Sequence, residues 1–372
     1  MTMKIIKWLA IKGLLIFCMA LIGIAMRGQD PNFSQYFNTP LYYNPAFTGI
    51  TNGLNVRFSF RDQWPNLPVD FKSYYFSADL GDRNLPGAGG LGLIINSNNE
   101  GIGFIHNFGC AISVGVRIPI ADFLVSQVGI KGGVVQKSVN WDDFVFSDEL
   151  DERYGINVGT MTDFVNPDYS NRIYPDFGAG GLLQFTSVDS KVTFTTGFAI
   201  DHIFEPDESF LSTGEAKVPR KIVIQAEAVI ATNRSISANK NSRGWDDPVK
   251  LNPGIIYQSQ GLSKSLAVGL NLLKYNLYLG AWFRSTVSKH ASNAMIFMAG
   301  YRYYFTEEMD IKFFYSYDLQ IGGNLQETGG AHEISLILTF KDLQVFGGAP
   351  KRIVMKNGKK VRNPREACEM FN

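Results

Sequence analysis

Cysteine and histidine are scarce in this chain, with 3 of one and 4 of the other among 372 residues. Cys18, Cys110 and Cys368 are too few and too widely spaced for a disulfide framework or a thiolate metal centre. Only Cys110 and Cys368 lie beyond the leader described below, and they read as two independent thiols. The histidines, His106, His202, His290 and His332, form no H-E-x-x-H motif and no close Cys/His cluster, so no zinc site is indicated. His332 and Glu333 are sequence neighbours in a strand-like run, which sends their side chains to opposite faces. A membrane-embedded hydrolase would need a Ser beside a His, and no such pairing stands out. No catalytic residue, metal ligand or cofactor is therefore assigned. Excess charge is lacking as well. A net charge of +1 provides no strongly basic domain, and no nucleic-acid partner is expected.

Long apolar runs are confined to the beginning. Lys4, Lys7 and Lys12 precede or enter an apolar stretch over residues 14–25 that ends in small residues. This is the layout of a secretory signal peptide, and it is short for a spanning helix, which needs roughly 20 apolar residues. Residues 1–28 are read as the leader, which leaves Gln29 at the mature N-terminus. Ile16 and Phe17 before Cys18 do not suit a lipoprotein.

What the chain has in quantity is aromatic residues and glycine: 28 Phe, 16 Tyr and 37 Gly, with 45% of residues hydrophobic. A secreted chain of this kind without a helical span points to an all-β protein. In lipid only helices and closed barrels satisfy their backbone groups. The expected fold is thus an antiparallel transmembrane β-barrel occupying residues 51–342. Alternation supports it. Val192, Phe194, Thr196, Phe198 and Ile200 share one face, against Thr193, Thr195, Gly197, Ala199 and Asp201. Likewise Leu277, Leu279, Ala281 and Phe283 oppose Tyr278, Gly280, Trp282 and Arg284.

About 14 such runs are expected, near 53–62, 70–80, 89–97, 104–119, 122–137, 174–187, 191–203, 219–232, 249–260, 263–273, 276–288, 292–305, 309–320 and 331–341. Connections over 119–122, 187–190 and 306–308 are short and assigned to the periplasmic side, while 140–173 and 205–218 are long and assigned outside. The long 233–248 segment and the short 260–262 turn break that rule. The last run ends at Phe340, which resembles a barrel-assembly signal. Charged residues in the runs, among them Arg57, Arg61, Lys131, Arg284, Lys312 and Asp318, belong in the lumen, since exposing Arg or Lys to mid-bilayer lipid costs about 2–4 kcal/mol.

Two segments lie outside the strands. Residues 29–50 are aromatic but interrupted by Pro31, Pro40 and Pro45, which would break a sheet ladder. They are expected to pack in the lumen as a plug. Residues 343–372 form a basic tail assigned to the periplasm. The loop over 140–173 carries Asp142, Asp143, Asp148, Glu149, Asp151 and Glu152 without calcium-loop spacing. Its aromatics Trp141, Phe144, Phe146 and Tyr154 are candidate partner-binding anchors, because large rings among polar residues make binding hot spots. The run from Gly87 to Gly92 does not open a helix in a βαβ unit, so it is not read as a phosphate loop.

Four segments carry a resemblance to a known family. The first fixes Gln35-Tyr36, Asn38, Pro40 and Asn44-Pro45-Ala46 at one spacing. The others hold Arg61 and Trp64, then Tyr315, Tyr317 and Asp318, then His332 and Glu333. Their order and spacing resemble the PorP/SprF family of outer-membrane proteins of the type IX secretion system. The resemblance implies a non-enzymatic barrel that anchors a secreted surface protein or adhesin, or assists its secretion, in some cases for gliding. It implies outer-membrane lipid and a periplasmic peptidoglycan-binding protein as further partners. The rival expectation is a diffusion channel or a transporter of hydrophobic compounds, which an open lumen would favour.

Overall fold

A computed structural model of the protein describes residues 30–68, 71–82, 89–101, 105–141, 144, 150–151, 155–156, 167–188, 191–212, 215–232, 249–287, 293–306, 308–321, 328–341 and 343. The first strands are β1 (Gly53–Gln63), β2 (Lys72–Gly81), β3 (Gly90–Glu100), β4 (Ile105–Ala121) and β5 (Leu124–Val139). Two short strands, β6 (Leu150–Asp151) and β7 (Gly155–Ile156), pair only with each other. There follow β8 (Asn171–Thr186), β9 (Val192–Asp201), β10 (Lys221–Ala231), β11 (Lys250–Gln260) and β12 (Ser263–Lys274). The last four are β13 (Leu277–Val287), β14 (Asn293–Tyr304), β15 (Met309–Ile321) and β16 (Ala331–Phe340).

All strands except β6 and β7 join one closed antiparallel barrel of fourteen strands, in which each pairs with its sequence neighbours. β1 closes on β16, with Leu54 opposite Phe340 and Arg61 opposite Glu333. Closure removes the unpaired sheet edges that lipid could not satisfy.

The period-2 pattern explains which face meets what. Phe194, Phe198, Leu277, Leu279, Phe283, Phe313 and Leu336 are exposed outside, whereas Thr193, Thr195, Asp201, Arg57, Ser59, Lys312 and Asp318 are buried inside. Tyr301, Tyr303, Tyr304, Phe305, Phe123 and Phe185 are exposed around the end where β1 begins and β16 finishes, in the manner of an interfacial aromatic girdle. That end carries the tight links from β4 to β5 and from β12 to β13 and is called the periplasmic end by the rule of short periplasmic turns, while the equally tight link from β11 to β12 lies at the other end. Among the described residues no helix is long and apolar enough to cross a membrane.

Some strand limits differ from the sequence expectation. β3 runs on to Glu100 rather than stopping at 97, through Ser97, Asn98 and Asn99. Polar residues do not end a strand that keeps its ladder above the hydrocarbon. β8 starts at Asn171 rather than 174, with Pro175 set opposite Val134. A bulge between Pro119 and Ala121 marks the foot of β4, where the proline cannot donate to the ladder. The leader at 1–28, the segment 233–248, Phe146, Tyr154 and nearly all of the tail at 343–372 lie outside the described residues.

Candidate functional site: a lumen occupied by the N-terminal segment

Residues 33–51 are buried without exception, and their partners are inward-facing side chains of the barrel wall. The segment enters near the outer ends of β9, β10 and β11, where the Asp30 backbone N–H donates to Gln260 Oε1 at 2.9 Å. It descends to the periplasmic end, where Gly49 N–H donates to Asp79 Oδ2 at 3.1 Å. Two local devices turn the chain on the way. Pro40 opens helix α1 (Pro40–Tyr43) and Pro45 opens a 3₁₀ turn, Pro45–Phe47, positions where proline's missing N–H costs nothing. Asn44 links the two. Its Oδ1 accepts the Ala46 N–H at 2.9 Å, and its Nδ2 donates to Gly181 O at 3.3 Å and to Phe198 O at 3.4 Å. The prolines thus exclude the segment from the sheet and at the same time shape it as a compact insert.

The wall makes room with glycine. A Cβ on Gly129 would collide with the Pro45 carbonyl, and one on Gly115 with the Thr48 carbonyl. Rings fill the remaining space. Tyr36 meets Trp282 edge-on with centroids 5.1 Å apart, and Phe37 meets Phe314 at 5.9 Å. Lys221 Nζ sits 4.2 Å above the Tyr42 ring.

A buried ionic cluster fastens the upper part of the segment. Arg61 donates to Asp318 at 2.8 Å and to Glu333 at 3.2 Å. Arg284 donates to the same Asp318 oxygen at 2.8 Å. Glu333 accepts the backbone N–H groups of Ser34 and Gln35 at 2.7 and 3.1 Å. The Ser34 hydroxyl donates to Asp318 at 2.6 Å while accepting from Arg61 at 2.7 Å and Arg284 at 3.1 Å. Gln35 Nε2 donates to Ser316 Oγ and to the Glu333 carbonyl at 2.9 and 3.0 Å, and its Oε1 accepts from Asn38 at 2.7 Å. Two guanidinium groups face two carboxylates, so the desolvated charges are matched, the condition under which a buried cluster is tolerated.

Four sequence segments therefore converge on one point, through Gln35, Arg61, Asp318 and Glu333. Tyr36, Asn38, Pro40, Asn44 and Pro45 belong to the insert itself. Trp64 lies just beyond β1, where its N–H donates to Gly330 O at 2.8 Å and its ring meets Phe71 at 5.2 Å. Tyr315, Tyr317 and His332 are on the other face of the wall. The Tyr315 hydroxyl and His332 Nδ1 are 2.8 Å apart, and the Tyr317 and His332 rings lie 5.0 Å apart. Trp141 and Phe144 stack at 5.5 Å, Trp141 meets Phe210 at 5.8 Å, and Trp141 Nε1 donates to Tyr169 O at 3.3 Å. That places the pair against the β9–β10 connection.

Sequence reasoning did not assign Ser34 to a site, and it placed Arg284 in the lumen without assigning it to this cluster. It also missed a clasp at the mouth of the insert. His202 lies between Asp176 Oδ1 at 2.8 Å and Asp30 Oδ2 at 3.0 Å, and Lys221 reaches the same Asp30 oxygen at 3.3 Å. Burial opposes charge on His202, but Asp30 and Asp176 outweigh it and push its pKa up to about 10. Burial would raise the Asp30 pKa, yet the charges of His202 and Lys221 hold it well below the usual carboxylate range. His202 adopts a left-handed φ of 53°, one of the few signs of strain in the backbone. Among the described residues no group of His, Cys, Asp and Glu is arranged to hold a metal ion.

The family model described as type IX secretion system membrane protein PorP/SprF matches residues 25–338. No curated protein matches the sequence. Among solved structures, a Pseudomonas aeruginosa FadL homologue is 13% identical with a TM-score of 0.42, covering 84% of this chain and 95% of that one. The CymD monoaromatic hydrocarbon channel gives 11% and 0.41, with 84% and 95% covered. Omp33 of Acinetobacter baumannii gives 8% and 0.38, with 79% and 100% covered. Likeness this distant says nothing about ligand or activity.

Proposed function

The chain belongs to the PorP/SprF family of type IX secretion system membrane proteins, and from that premise we propose that this outer-membrane barrel anchors a secreted cell-surface protein, or assists its secretion, rather than conducting solutes. The observation that carries this reading is the N-terminal insert, which occupies the lumen over residues 33–51. A diffusion channel needs an open path, whereas here a segment of the chain itself runs down the interior, fastened by the Arg61, Arg284, Asp318 and Glu333 cluster. Matched buried charges of this kind hold one arrangement rather than admit a stream of solutes. The partner is a large secreted adhesin, a component of a gliding apparatus where the cell glides. The basic tail would face a periplasmic peptidoglycan-binding protein.

The wall outside the lumen supports anchoring in lipid rather than chemistry, and no enzymatic step is proposed. Affinity purification of the tagged full chain from native outer membranes tests the reading. Co-isolation of one large secreted surface protein, lost from the cell surface when the barrel is deleted, is the expected result. A barrel that purifies alone, together with unaltered surface display in the deletion strain, would overturn it.

A further inference from the structure

Above the insert the lumen is not filled. A cavity of about 550 Å³ lies at the outer mouth, floored by Asp30, Pro31 and Asn32 and walled by β1, β3 and β11 to β13. This volume is in the range of sites that take a small organic ligand. Its lining is unusual for such a site. Among the described residues Pro31, Trp64 and Phe71 are its only apolar side chains, and neutral amides and hydroxyls dominate, including Gln63, Asn98, Gln258, Ser263, Ser265 and Thr286.

The charges at the cavity are already committed. Arg61 and Arg284 pair with Asp318, Lys221 with Asp30, and Glu100 accepts from Asn107 at 2.8 Å. An ionic ligand would have to compete with these pairs, and an apolar one would strand the amides. Some of the neutral groups are paired among themselves, Gln258 donating to Asn32 Oδ1 at 2.9 Å and Asn32 Nδ2 to Ser265 Oγ at 3.5 Å, but Asn98 keeps an open acceptor. Asn98 is 3% exposed, and its Oδ1 has no hydrogen-bond partner. A buried polar atom left unsatisfied is a cost that a bound partner would remove.

Trp64 adds an independent observation. It sits at the cavity with a left-handed φ of 59°, a conformation that is a true outlier for a bulky residue. Its N–H bond to Gly330 and its carbonyl bond to the Leu67 N–H at 3.0 Å hold it there. Strain of this kind collects at ligand clamps, where it pre-sets a side chain. Here it presents an indole, with Phe71 braced edge-on against it, beside a bed of neutral hydrogen-bonding groups.

We propose that this cup binds a neutral saccharide, with Trp64 as the stacking platform and Asn98, Gln63 and Thr286 reading hydroxyls. A sugar ring offers hydroxyls that donate and accept in turn, no charge, and one C–H face for an aromatic ring. That combination matches the lining group by group.

The test uses the full chain, purified in an amine-oxide detergent so that no sugar headgroup competes. Linear tri- to pentasaccharides of glucose, mannose, galactose and N-acetylglucosamine are titrated by saturation-transfer NMR and by tryptophan fluorescence. At least one should bind with a Kd on the order of 1 mM or tighter. Trp64→Ala and Asn98→Ala should each weaken it by about tenfold or more, and Trp64→Phe should retain most of it. Heat-modifiable migration verifies the barrel in every variant. Should Trp64→Ala fail to fold, Asn98→Ala and Thr286→Val carry the decision. Absence of binding across the whole set, or binding unchanged in the variants, would overturn the proposal.

Discussion

The backbone N–H of Ser34 donates to the Glu333 carboxylate at 2.7 Å, across 299 residues of sequence. The beginning of the insert is thereby tied to the last strand of the barrel, beside the seam where β16 closes on β1. Closing the barrel and seating the insert are coupled through this one side chain. Glu333 also balances Arg61, so removing it leaves two orphaned N–H groups and two guanidinium groups sharing the one carboxylate of Asp318.

Replacing Glu333 with Ala should therefore cost about 3–5 kcal/mol, the usual penalty for breaking a buried pair from one side. Glu333→Gln should cost less, because its one amide oxygen still accepts from Ser34 or Gln35. The measurements are thermal unfolding in detergent and chymotrypsin cutting at Tyr36, Phe37, Tyr42 and Tyr43. The expectation is rapid cutting in the Ala variant while the barrel still migrates as a folded band. A wild-type cutting rate would mean the insert is held elsewhere.

The seat on the wall can be attacked without touching charge. Gly129 faces the Pro45 carbonyl with no room for a Cβ, and overpacking of this kind typically costs 1–3 kcal/mol. Gly129→Val should displace the 3₁₀ turn and open the lumen. In planar bilayers its single-channel conductance should exceed that of the parent protein. Equal conductance, with normal barrel assembly, would show that the insert does not set the pore.

The clasp at Asp30 and His202 gives a pH dependence whose sign is fixed. His202 has a folded pKa raised to about 10 from 6.5. Its contribution is complete below pH 6.5 and is lost as pH climbs toward 10. Asp30 is depressed below 3.8, so its contribution is complete above that value and lost on further acidification. Protection of the N-terminal end against proteolysis should thus be best between about pH 4 and 6.5, and weaker at pH 10. His202→Asn should flatten the alkaline limb. An alkaline limb that survives in His202→Asn would assign the effect to another group.

How much of this was legible in the sequence follows from what each signal depends on. Alternation gave all fourteen barrel strands, because side chains of a spanning strand must choose between lipid and lumen. The ends of β3 and β8 were less legible, since the ladder continues above the hydrocarbon, where polarity no longer decides. The prolines at 31, 40 and 45 marked a non-sheet segment. They could not say that Ser34 and Arg284 would share Asp318, because that meeting depends on barrel closure and strand stagger. The Asp30–His202 clasp was hidden for the same reason, with 172 residues between its members. Trp64 carried a motif signal, but its backbone strain is visible only in three dimensions.

The last prediction concerns the outer surface. Trp141 and Phe144 stack on one another, and Trp141 packs against Phe210 of the β9–β10 connection. Both are only partly buried, so the pair braces two outer loops while still offering ring surface to a partner. Large rings in such a setting commonly supply hot-spot contacts worth 2 kcal/mol or more. Trp141→Ala combined with Phe144→Ala should leave barrel assembly intact and lower the retention of the secreted partner at the cell surface. Bound and released partner are quantified in both strains at matched barrel levels. A single replacement, Phe210→Ala, separates the two roles of the cluster. If bracing of the loops is what matters, it should reduce retention as much as the double variant does. If the rings touch the partner directly, Phe210→Ala should have the smaller effect. Retention unchanged in all three strains would remove this loop from the binding surface and leave the other outer connections to supply it.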